Sequence, residues 1–358
     1  MITYEAIINK AKSLEADGLP FVIFRNPQSD IVQLLYQHDD DCHFFNYTFD
    51  NEGFVLAPFR SEQGAPIFIK SEAVLQATYQ PDQNFSTPTD ENLSYDHDEK
   101  LAHNELIEKA IREIDRGTLE KVVISRKITL EKAVSPIESF QKMLSRYHSA
   151  FCYLFSHPKV GTWLAATPET LLKFENQTLT TMALAGTQSY HEGEKPEWTQ
   201  KEKDEQQIVT NVIVRKIHPH VEQLTVSKPK TVRAAGVVHL CTDIQAEISD
   251  SNTIFTILRD LHPTPAVCGF PNEAARQFIV DNEAYDRSFY TGYCGVIGTN
   301  QTAELYVNLR CMQINKNQTY IYVGGGIIRE SNADSEWDET QNKAMTMYAI
   351  IREEANCQ

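Results

Sequence analysis

Long hydrophobic runs are missing from this sequence. No window approaches the roughly 18 uninterrupted apolar residues that a membrane-spanning helix needs. The N-terminal stretch MITYEAIINKAKSLEADG has the spacing of an amphipathic helix. It lacks a basic region followed by an apolar core, so a signal peptide is not expected. These absences predict a protein without a membrane partner.

Disulfide and zinc signatures are also absent. The cysteines are odd in number and form no CxxC pair; they lie at positions 42, 152, 241, 268, 294, 311 and 357. The histidines are scattered, and no HExxH motif occurs. The simplest interpretation is a set of free thiols in a reducing cytoplasm, with no zinc site.

Positive charge is scarce. The chain has 33 lysines and arginines against 49 acidic residues, for a formal net charge of −16. Nucleic acid is therefore not an expected partner, because phosphate binding requires a basic surface. An anionic substrate would have to be held by a few local cations, a bound metal or backbone amides.

The 358 residues are enough for one large domain or two ordinary ones. Before residue 80, the strand-like runs PFVIFRN, IVQLLYQ, HFFNYTF and GFVLAPF are separated by polar turns. Residues 80–100 are polar, acidic and poor in aliphatic side chains, which is typical of a linker or long surface loop.

Helices and strands alternate in the rest of the chain. Apolar spacing predicts helices near 106–117, 137–147, 197–218 and 334–354. The predicted strands are KVVISRKITL, FCYLFSH, TWLAATP, LLKFEN, TLTTMALAG, YCGVIG, AELYVNLRCMQI and TYIYVGGGII. Many strands interleaved with several helices favour a large α+β domain built on extensive sheet.

Two pairs of carboxylates lie on predicted helices. Glu202 and Glu205 are three residues apart, as are Glu336 and Glu339, so each pair shares a helix face. Two such helices could hold a hard dication such as Mg²⁺ through oxygen ligands and waters. In a chain this acidic, solvated helix faces are the simpler interpretation of the same spacing.

Two further residues could carry acid–base chemistry. Lys121 opens the apolar strand KVVISRK, where it is either a solvated edge residue or a partly buried base. Glu169 follows a strand and a proline turn. It could simply cap that turn, or donate a proton if it is enclosed beside Leu184.

Candidate anion-binding groups lie near the C-terminus. Arg310, within YVNLRC, is either a carboxylate clamp or a surface strand residue. The glycines at 324–326, immediately after a predicted strand, form either an anion-binding nest or a tight turn. His239 in VVHL has apolar neighbours, as a core histidine would.

The order of these segments is more specific than any one of them. From about Glu105 to the C-terminus, the chain resembles the chorismate-binding domain of isochorismate, salicylate, anthranilate and aminodeoxychorismate synthases. The motifs that carry the resemblance are KVVISRK, TWLAATPETLL, ALAGT, EKDEQQIVT, VVHL, LHPTPAVCGFP, YDRSFYTGYCGVIG, LYVNLRC, VGGGII and SEWDETQNK.

The resemblance implies an α+β fold. A single large chorismate-binding domain, made of two sheet-plus-helix halves, would enclose a deep active site. Residues 96–358 are expected to form this catalytic domain. Residues 1–95 are expected to form an N-terminal α+β segment integrated with the main fold.

The resemblance also implies chorismate as the substrate and Mg²⁺ as the cofactor. Glu205 and Glu339 would ligate the metal, Glu202 and Glu336 would hold its waters, and the metal would bind the ring carboxylate. The groups implied for the pyruvyl carboxylate and the same cavity are Arg310, the amides of Gly324 and Gly325, and Lys343. The implied ring-pocket residues are Leu184, Ala185, Gly186, Thr187, His239, Ala266 and Tyr290.

Two positions favour isochorismate formation. Lys121 stands where isochorismate- and salicylate-forming members carry a lysine that activates water, whereas anthranilate synthases typically have glutamine. Leu184, in ALAGT, is typical of members that use water. In the implied reaction Lys121 deprotonates a water that attacks C2, and Glu169 protonates the departing C4 hydroxyl. No glutamine amidotransferase subunit is expected.

Two residues depart from the family pattern. Ala183 replaces the usual proline before LAGT, and Gln206 replaces the histidine often found after the metal-binding glutamate. Neither is an expected ligand.

Two alternatives stay open. A salicylate synthase would add pyruvate elimination at the same site, although its members usually have a longer N-terminal region. A chorismate-binding homologue without activity is the alternative from another class. The isochorismate would feed menaquinone or catechol siderophore synthesis.

Overall fold

The computed structural model describes residues 2–80, 93–190, 196–234 and 237–352. Within these ranges the helices are α1 (Tyr4–Asp17), α2 (His97–Asp115), α3 (Pro136–Arg146), α4 (Gln200–Ile217), α5 (Thr253–Leu261), α6 (Asn272–Asn282) and α7 (Ala333–Arg352).

The strands of the same ranges are β1 (Phe21–Arg25), β2 (Ile31–Tyr36), β3 (His43–Phe44), β4 (Gly53–Ala57), β5 (Ile67–Lys70), β6 (Ala73–Thr78), β7 (Lys121–Leu130), β8 (Phe151–His157), β9 (Gly161–Thr167), β10 (Thr170–Glu175), β11 (Thr178–Ser189), β12 (Gln223–Val226), β13 (Lys230–Ala234), β14 (Val237–Glu247), β15 (Gly269–Phe270), β16 (Tyr293–Gly298), β17 (Thr302–Val307), β18 (Cys311–Ile314) and β19 (Thr319–Ile327).

Two antiparallel sheets form the frame of the described residues. Sheet A has the order β15-β7-β19-β18-β9-β8-β1-β2-β6, and sheet B has the order β12-β14-β11-β10-β17-β16-β4-β5-β3, with β13 also paired to β14. N-terminal strands join both sheets, since β1 pairs with β8 and β4 pairs with β16. The predicted α+β class with two sheet-plus-helix halves is confirmed, while the boundary at residue 95 stays a prediction.

The two sheets face each other across an aromatic core. Phe54 of sheet B packs with Phe151 and Tyr153 of sheet A. The rings of Phe151 and Tyr306 stack with centroids 4.2 Å apart. Large aromatic surfaces buried in this way supply much of the energy that holds two sheets together. Helices α1, α3 and α7 pack on sheet A, and α4 and α5 pack on sheet B.

Local sequence signals define the helix ends. Thr3 caps α1 by accepting from the Ala6 N–H, and Gly18 ends that helix in the left-handed conformation. Asp96 caps α2. The predicted linker is therefore wrong at its C-terminal end, because helix begins at His97. Its residues 81–92 lie outside the described residues.

Three predicted elements differ in the structure. The run AELYVNLRCMQI is two strands in different sheets, because the chain crosses from sheet B to sheet A at 308–310. Arg310 has a positive φ of 47°, which no strand accommodates. HFFNYTF is strand only at His43–Phe44. The glycines at 324–326 lie inside β19, paired with β7, and not in a turn after a strand.

Several other elements were not predicted, among them α5, α6 and strands β12 and β13. Strand β12 is largely exposed and gives no apolar pattern to recognise. The cysteines of the described residues are free thiols, and Cys357 lies outside those residues. None of the described helices combines the length and apolar character that crossing a membrane requires.

Candidate active site

A cavity with about 650 Å³ of empty space, part of it open to solvent, lies where the two sheets and helices α4 and α7 meet. It brings together residues that are far apart in sequence. Of the residues predicted for the site, its walls contain Glu169, Leu184, Ala185, Gly186, Thr187, Glu205, His239, Ala266, Tyr290, Arg310, Gly324 and Lys343. Gly326, one of the three glycines proposed as an anion-binding nest, also lines it. The lining residues that were not predicted are Val123, Pro168, Val267, Leu309, Tyr322 and Val323.

Glu169 lies in the connector where the chain passes from β9 in sheet A to β10 in sheet B. Its backbone is anchored, because its carbonyl accepts from Val307 N and its N–H donates to Thr167 Oγ1. Burial raises the pKa of its carboxyl to about 8, although the positive charges of Lys121 and Lys343 oppose the shift. Glu169 faces the cavity, and its raised pKa favours the protonated form that a proton donor needs.

Lys121 is fully buried at the start of β7. Its Nζ donates to Glu205 Oε1 at 2.9 Å, and its aliphatic chain lies against Gly326. The solvated-edge interpretation of Lys121 is therefore wrong. The ammonium group lies directly behind the cavity wall formed by Glu205 and Gly326.

Arg310 is also buried, and its guanidinium group is held from two sides. Nη1 donates to Thr346 Oγ1 at 2.8 Å, and Nη2 lies 3.4 Å from Nε2 of His239. Burial and the charges of Arg310 and Lys343 hold the pKa of His239 well below its usual range. The neutral ring can donate from Nδ1 to the Gly186 carbonyl at 3.2 Å and accept from Arg310 at Nε2.

Three carboxylates from α4 and α7 surround the glycines of β19. A side chain at Gly325 would lie 3.1 Å from Glu336 Oε2 and 3.5 Å from Glu339 Oε1, and one at Gly326 would overlap Glu205 Oε1. The acidic side chains thus approach the strand closely, so that a side chain at Gly326 would displace Glu205, whereas one at Gly325 would need only a small shift of Glu336. The helices thus bring three carboxylates to neighbouring positions along β19, and their convergence on one metal site stays a prediction.

Each of these carboxylates contacts a lysine. Glu205 accepts from Lys121, Glu336 from Lys201 at 2.6 Å and Glu339 from Lys343 at 2.6 Å. Lys201 was not predicted, although it lies four residues before Glu205 on the same helix face. Lys343 also donates to the carbonyl of Gly324 at 2.9 Å.

Glu202 behaves differently from the other three. Its carboxylate accepts from the Thr199 N–H at 2.9 Å and from the Thr199 hydroxyl, which completes a capping box at the start of α4. Its backbone packs against Gly186. The structure therefore does not bring the Glu202 carboxylate into the cluster predicted to surround a metal.

The carboxylates of Glu205, Glu336 and Glu339 are the candidate ligands for Mg²⁺. Within 2–80, 93–190, 196–234 and 237–352, no group of three or more His, Cys, Asp or Glu side chains has metal-binding spacing. Glu336 Oε2 is nevertheless buried without a hydrogen-bond partner. Burial and the negative charge of Glu339 raise the pKa of Glu336 to about 7. Oxygen donors with an unpaired buried carboxylate atom fit a hard cation.

The two departures from the family pattern are accommodated locally. Gln206 is buried, and its Nε2 donates to the hydroxyls of Thr210 and Thr242 at 2.8 and 2.6 Å. Ala183 is a buried residue of β11 paired with Thr242. Neither change prevents Glu205 and Leu184 from reaching the cavity.

In this fold a buried acid, an arginine and the Glu205 carboxylate face one cavity. A buried lysine lies directly behind its wall, and the carboxylates of Glu336 and Glu339 lie beside β19. A family comparison matches residues 60–352 to the family described as chorismate binding enzyme. The chain belongs to this family.

Relatives and solved structures agree with the assignment. The chain is 33% identical over 267 residues to the isochorismate synthase MenF of Escherichia coli K12. The aligned region covers 72% of this chain and 61% of MenF. It is 26% identical to the isochorismate synthase EntC of the same strain, over 71% of this chain and 68% of EntC.

The structure of the 2,3-dihydroxybenzoate-specific isochorismate synthase DhbC of Bacillus anthracis superposes with a TM-score of 0.81 at 22% identity. It covers 97% of this chain and 99% of DhbC. At this identity the likeness shows the fold alone.

Proposed function

We propose that this protein is a magnesium-dependent isochorismate synthase. The observation that carries the proposal is the placement of two buried groups at one cavity: Glu169 lines it, and Lys121 lies directly behind its wall. The raised pKa of Glu169 favours the proton donor that the reaction needs. The relatives with isochorismate synthase names support the same reaction. Leu184 lies in the same cavity.

The reaction adds a hydroxyl group from water at C2 of the ring and removes the hydroxyl group at C4. Lys121 Nζ, reacting in its neutral amine form, accepts a proton from a water molecule as the water oxygen bonds to C2 of chorismate. Both ring double bonds shift, from C1–C2 to C1–C6 and from C5–C6 to C4–C5, the C4–oxygen bond breaks, and Glu169 gives its proton to the leaving hydroxyl, which departs as water. One water enters and one leaves, so the product is an isomer of the substrate.

Arg310, held by Thr346 and His239, would bind the pyruvyl carboxylate through its buried guanidinium group. The residues that would hold Mg²⁺ are Glu205, Glu336 and Glu339. When bound, the metal would supply positive charge for the ring carboxylate. Glu202 would act mainly as a helix cap.

The test is product chromatography after incubation of purified protein with chorismate and Mg²⁺, with and without ammonia. Isochorismate should be the main product in both cases, and a chelator should abolish turnover. Aminated products would contradict the choice of water as the nucleophile. Salicylate and pyruvate as main products near neutral pH would favour a salicylate synthase, and a lack of any turnover would favour an inactive homologue.

The proposal extends to the protein's setting. Isochorismate made in the cytoplasm would feed menaquinone or catechol siderophore synthesis. No amidotransferase subunit is needed, because the nucleophile is water and not ammonia.

A further inference from the structure

A second pair of charged residues lies beside the cavity and has no role in the reaction above. Glu283 follows α6, and Arg287 lies four residues later in the motif YDRSFYTGYCG. Both side chains are only 2% exposed. Arg287 Nε donates to Glu283 Oε2 at 2.7 Å, and Arg287 Nη2 donates to Glu283 Oε1 at 2.5 Å.

Most of the pair's other hydrogen bonds go to β7 and to the segment around Val267, and Arg287 Nη1 also donates to Thr291 Oγ1 at 3.4 Å. Arg287 Nη2 donates to the Val123 carbonyl at 2.7 Å, and Nη1 donates to the Val267 carbonyl at 2.9 Å. Glu283 Oε1 accepts from the N–H and the hydroxyl of Ser125, both at 2.8 Å. Val123 and Val267 both line the cavity.

The pair takes the place of a missing stretch of strand. Along this edge of β7, strand β15 pairs only with Lys121 and Val122. Beyond it Val123 N donates to the Cys268 carbonyl at 2.9 Å. After that point Arg287 and Glu283 satisfy the buried backbone groups of Val123 and Ser125, which would otherwise lose hydrogen-bond partners.

Lys121 depends on this arrangement. Every second side chain of a strand projects from the same face, so one face of β7 carries Lys121, Val123 and Ser125. A shift of Val123 away from Val267 would carry the lysine with it. A buried ion pair is weak evidence for stability by itself, but most of the other hydrogen bonds of this pair go to the segments that bear the base and the ring pocket.

We infer that Glu283 and Arg287 are positioning residues, which hold the Lys121 strand at a set distance from the pocket wall around Val267. This inference rests on the proposed function. Arg287→Lys is the first test. The planar guanidinium group of Arg287 donates to Glu283, Val123 and Val267 at the same time, and the single ammonium group of a lysine cannot reproduce this geometry. Displacements of about 1 Å in an active site can cost about 100-fold in rate.

The expected result for Arg287→Lys is a folded protein whose kcat falls at least about 10-fold, with KM for chorismate within about threefold of wild type. The control is Arg25→Lys. Arg25 is equally buried and donates to the carbonyls of Leu144 and Tyr147, neither of which lines the cavity. The control should lose thermal stability and keep its kcat.

A second variant and a second measurement cover the case in which Arg287→Lys does not fold. Glu283→Gln keeps side-chain size but turns an NH₂ group toward Arg287 Nε. Amide hydrogen exchange of residues 121–125 should then be faster than in wild type, whereas exchange in β1 should not change. Unchanged exchange at 121–125, wild-type kcat in folded Arg287→Lys, or an equal kcat loss in Arg25→Lys would overturn the inference.

The exchange measurement needs no turnover. If the wild type makes no isochorismate, the proposed function is wrong. Exchange at 121–125 would still decide whether the pair positions the strand.

Discussion

The proposed base and the proposed acid are held by different kinds of backbone. Lys121 is the first residue of β7. One edge of this strand pairs with β15 at Lys121 and Val122, and the opposite edge pairs with β19 over Val122–Leu130. Glu169 lies in a short connector between two strands of different sheets, as does Arg310. A regular strand fixes the lysine through repeated backbone hydrogen bonds, whereas the connectors depend on a few individual contacts. The comparison shows that one active site can combine both kinds of support.

Removal of either reacting group should have the largest effect. Lys121→Gln and Glu169→Gln should each lower kcat by at least about 100-fold, because general acid–base groups contribute about 10² to 10⁴. Both variants keep the side-chain size, so chorismate binding should remain. The double variant should lose much less than the product of the two losses, since both groups serve one displacement. Steady-state kinetics would measure this, and near-normal turnover of Lys121→Gln would contradict the mechanism.

The support that regular strand gives to Lys121 can be disturbed at the glycines of the neighbouring strand β19. Gly326→Ala should lower kcat about 10-fold or more, because the new Cβ would overlap Glu205 Oε1 and lie 2.8 Å from Lys121 Cε. Gly325→Ala is the matched control, since its Cβ would meet Glu336 Oε2 at 3.1 Å, a contact that a small shift relieves. A larger loss in Gly325→Ala than in Gly326→Ala would contradict this account.

The connector side can be tested through the pH dependence of stability. The folded-state pKa of Glu169 is about 8, above its ordinary value of 4.5. The folded protein therefore binds more protons than the unfolded chain between these values, and this residue's contribution to stability falls as pH rises through that window.

Glu169→Gln removes this dependence. Wild-type stability relative to the variant should decline by up to about 1.4 kcal/mol for each pH unit between about pH 5 and pH 8. Urea unfolding of both proteins at several pH values measures the difference, in which the other titrating groups largely cancel. A difference that does not vary with pH would show that Glu169 is ionised in the folded protein.

The smallest expected effect concerns Glu202, which caps a helix while Glu205 faces the cavity. Glu202→Ala should lower the free energy of unfolding by about 1 kcal/mol, as the loss of a cap does, and leave the magnesium requirement nearly unchanged. Thr199→Ala removes the other half of the capping box and should match it in thermal unfolding. A strong shift in the Mg²⁺ concentration needed for activity, in Glu202→Ala alone, would restore a metal role for Glu202.

Much of the secondary structure follows from local sequence. The strand Lys121–Leu130 has the predicted bounds, and the helices α2, α3, α4 and α7 lie where apolar spacing predicts them. Their signals are short-range: caps, periodic apolar residues and flanking turns. The run AELYVNLRCMQI was misjudged because alternation of side chains continues across a point where the chain changes sheets.

The candidate site was recognisable as a succession of motifs, which predicted most of the residues found in its walls. Lys201 and the pair Glu283 and Arg287 were not predicted, because a charged residue's burial depends on distant segments that fold over it. The sequence by itself determined the family, the elements and the chemical groups available. Only the tertiary structure decided that Lys121 and Glu169 are buried, that the pKa of Glu169 is raised, and which carboxylates lie beside β19, because these outcomes depend on contacts between residues far apart in the chain.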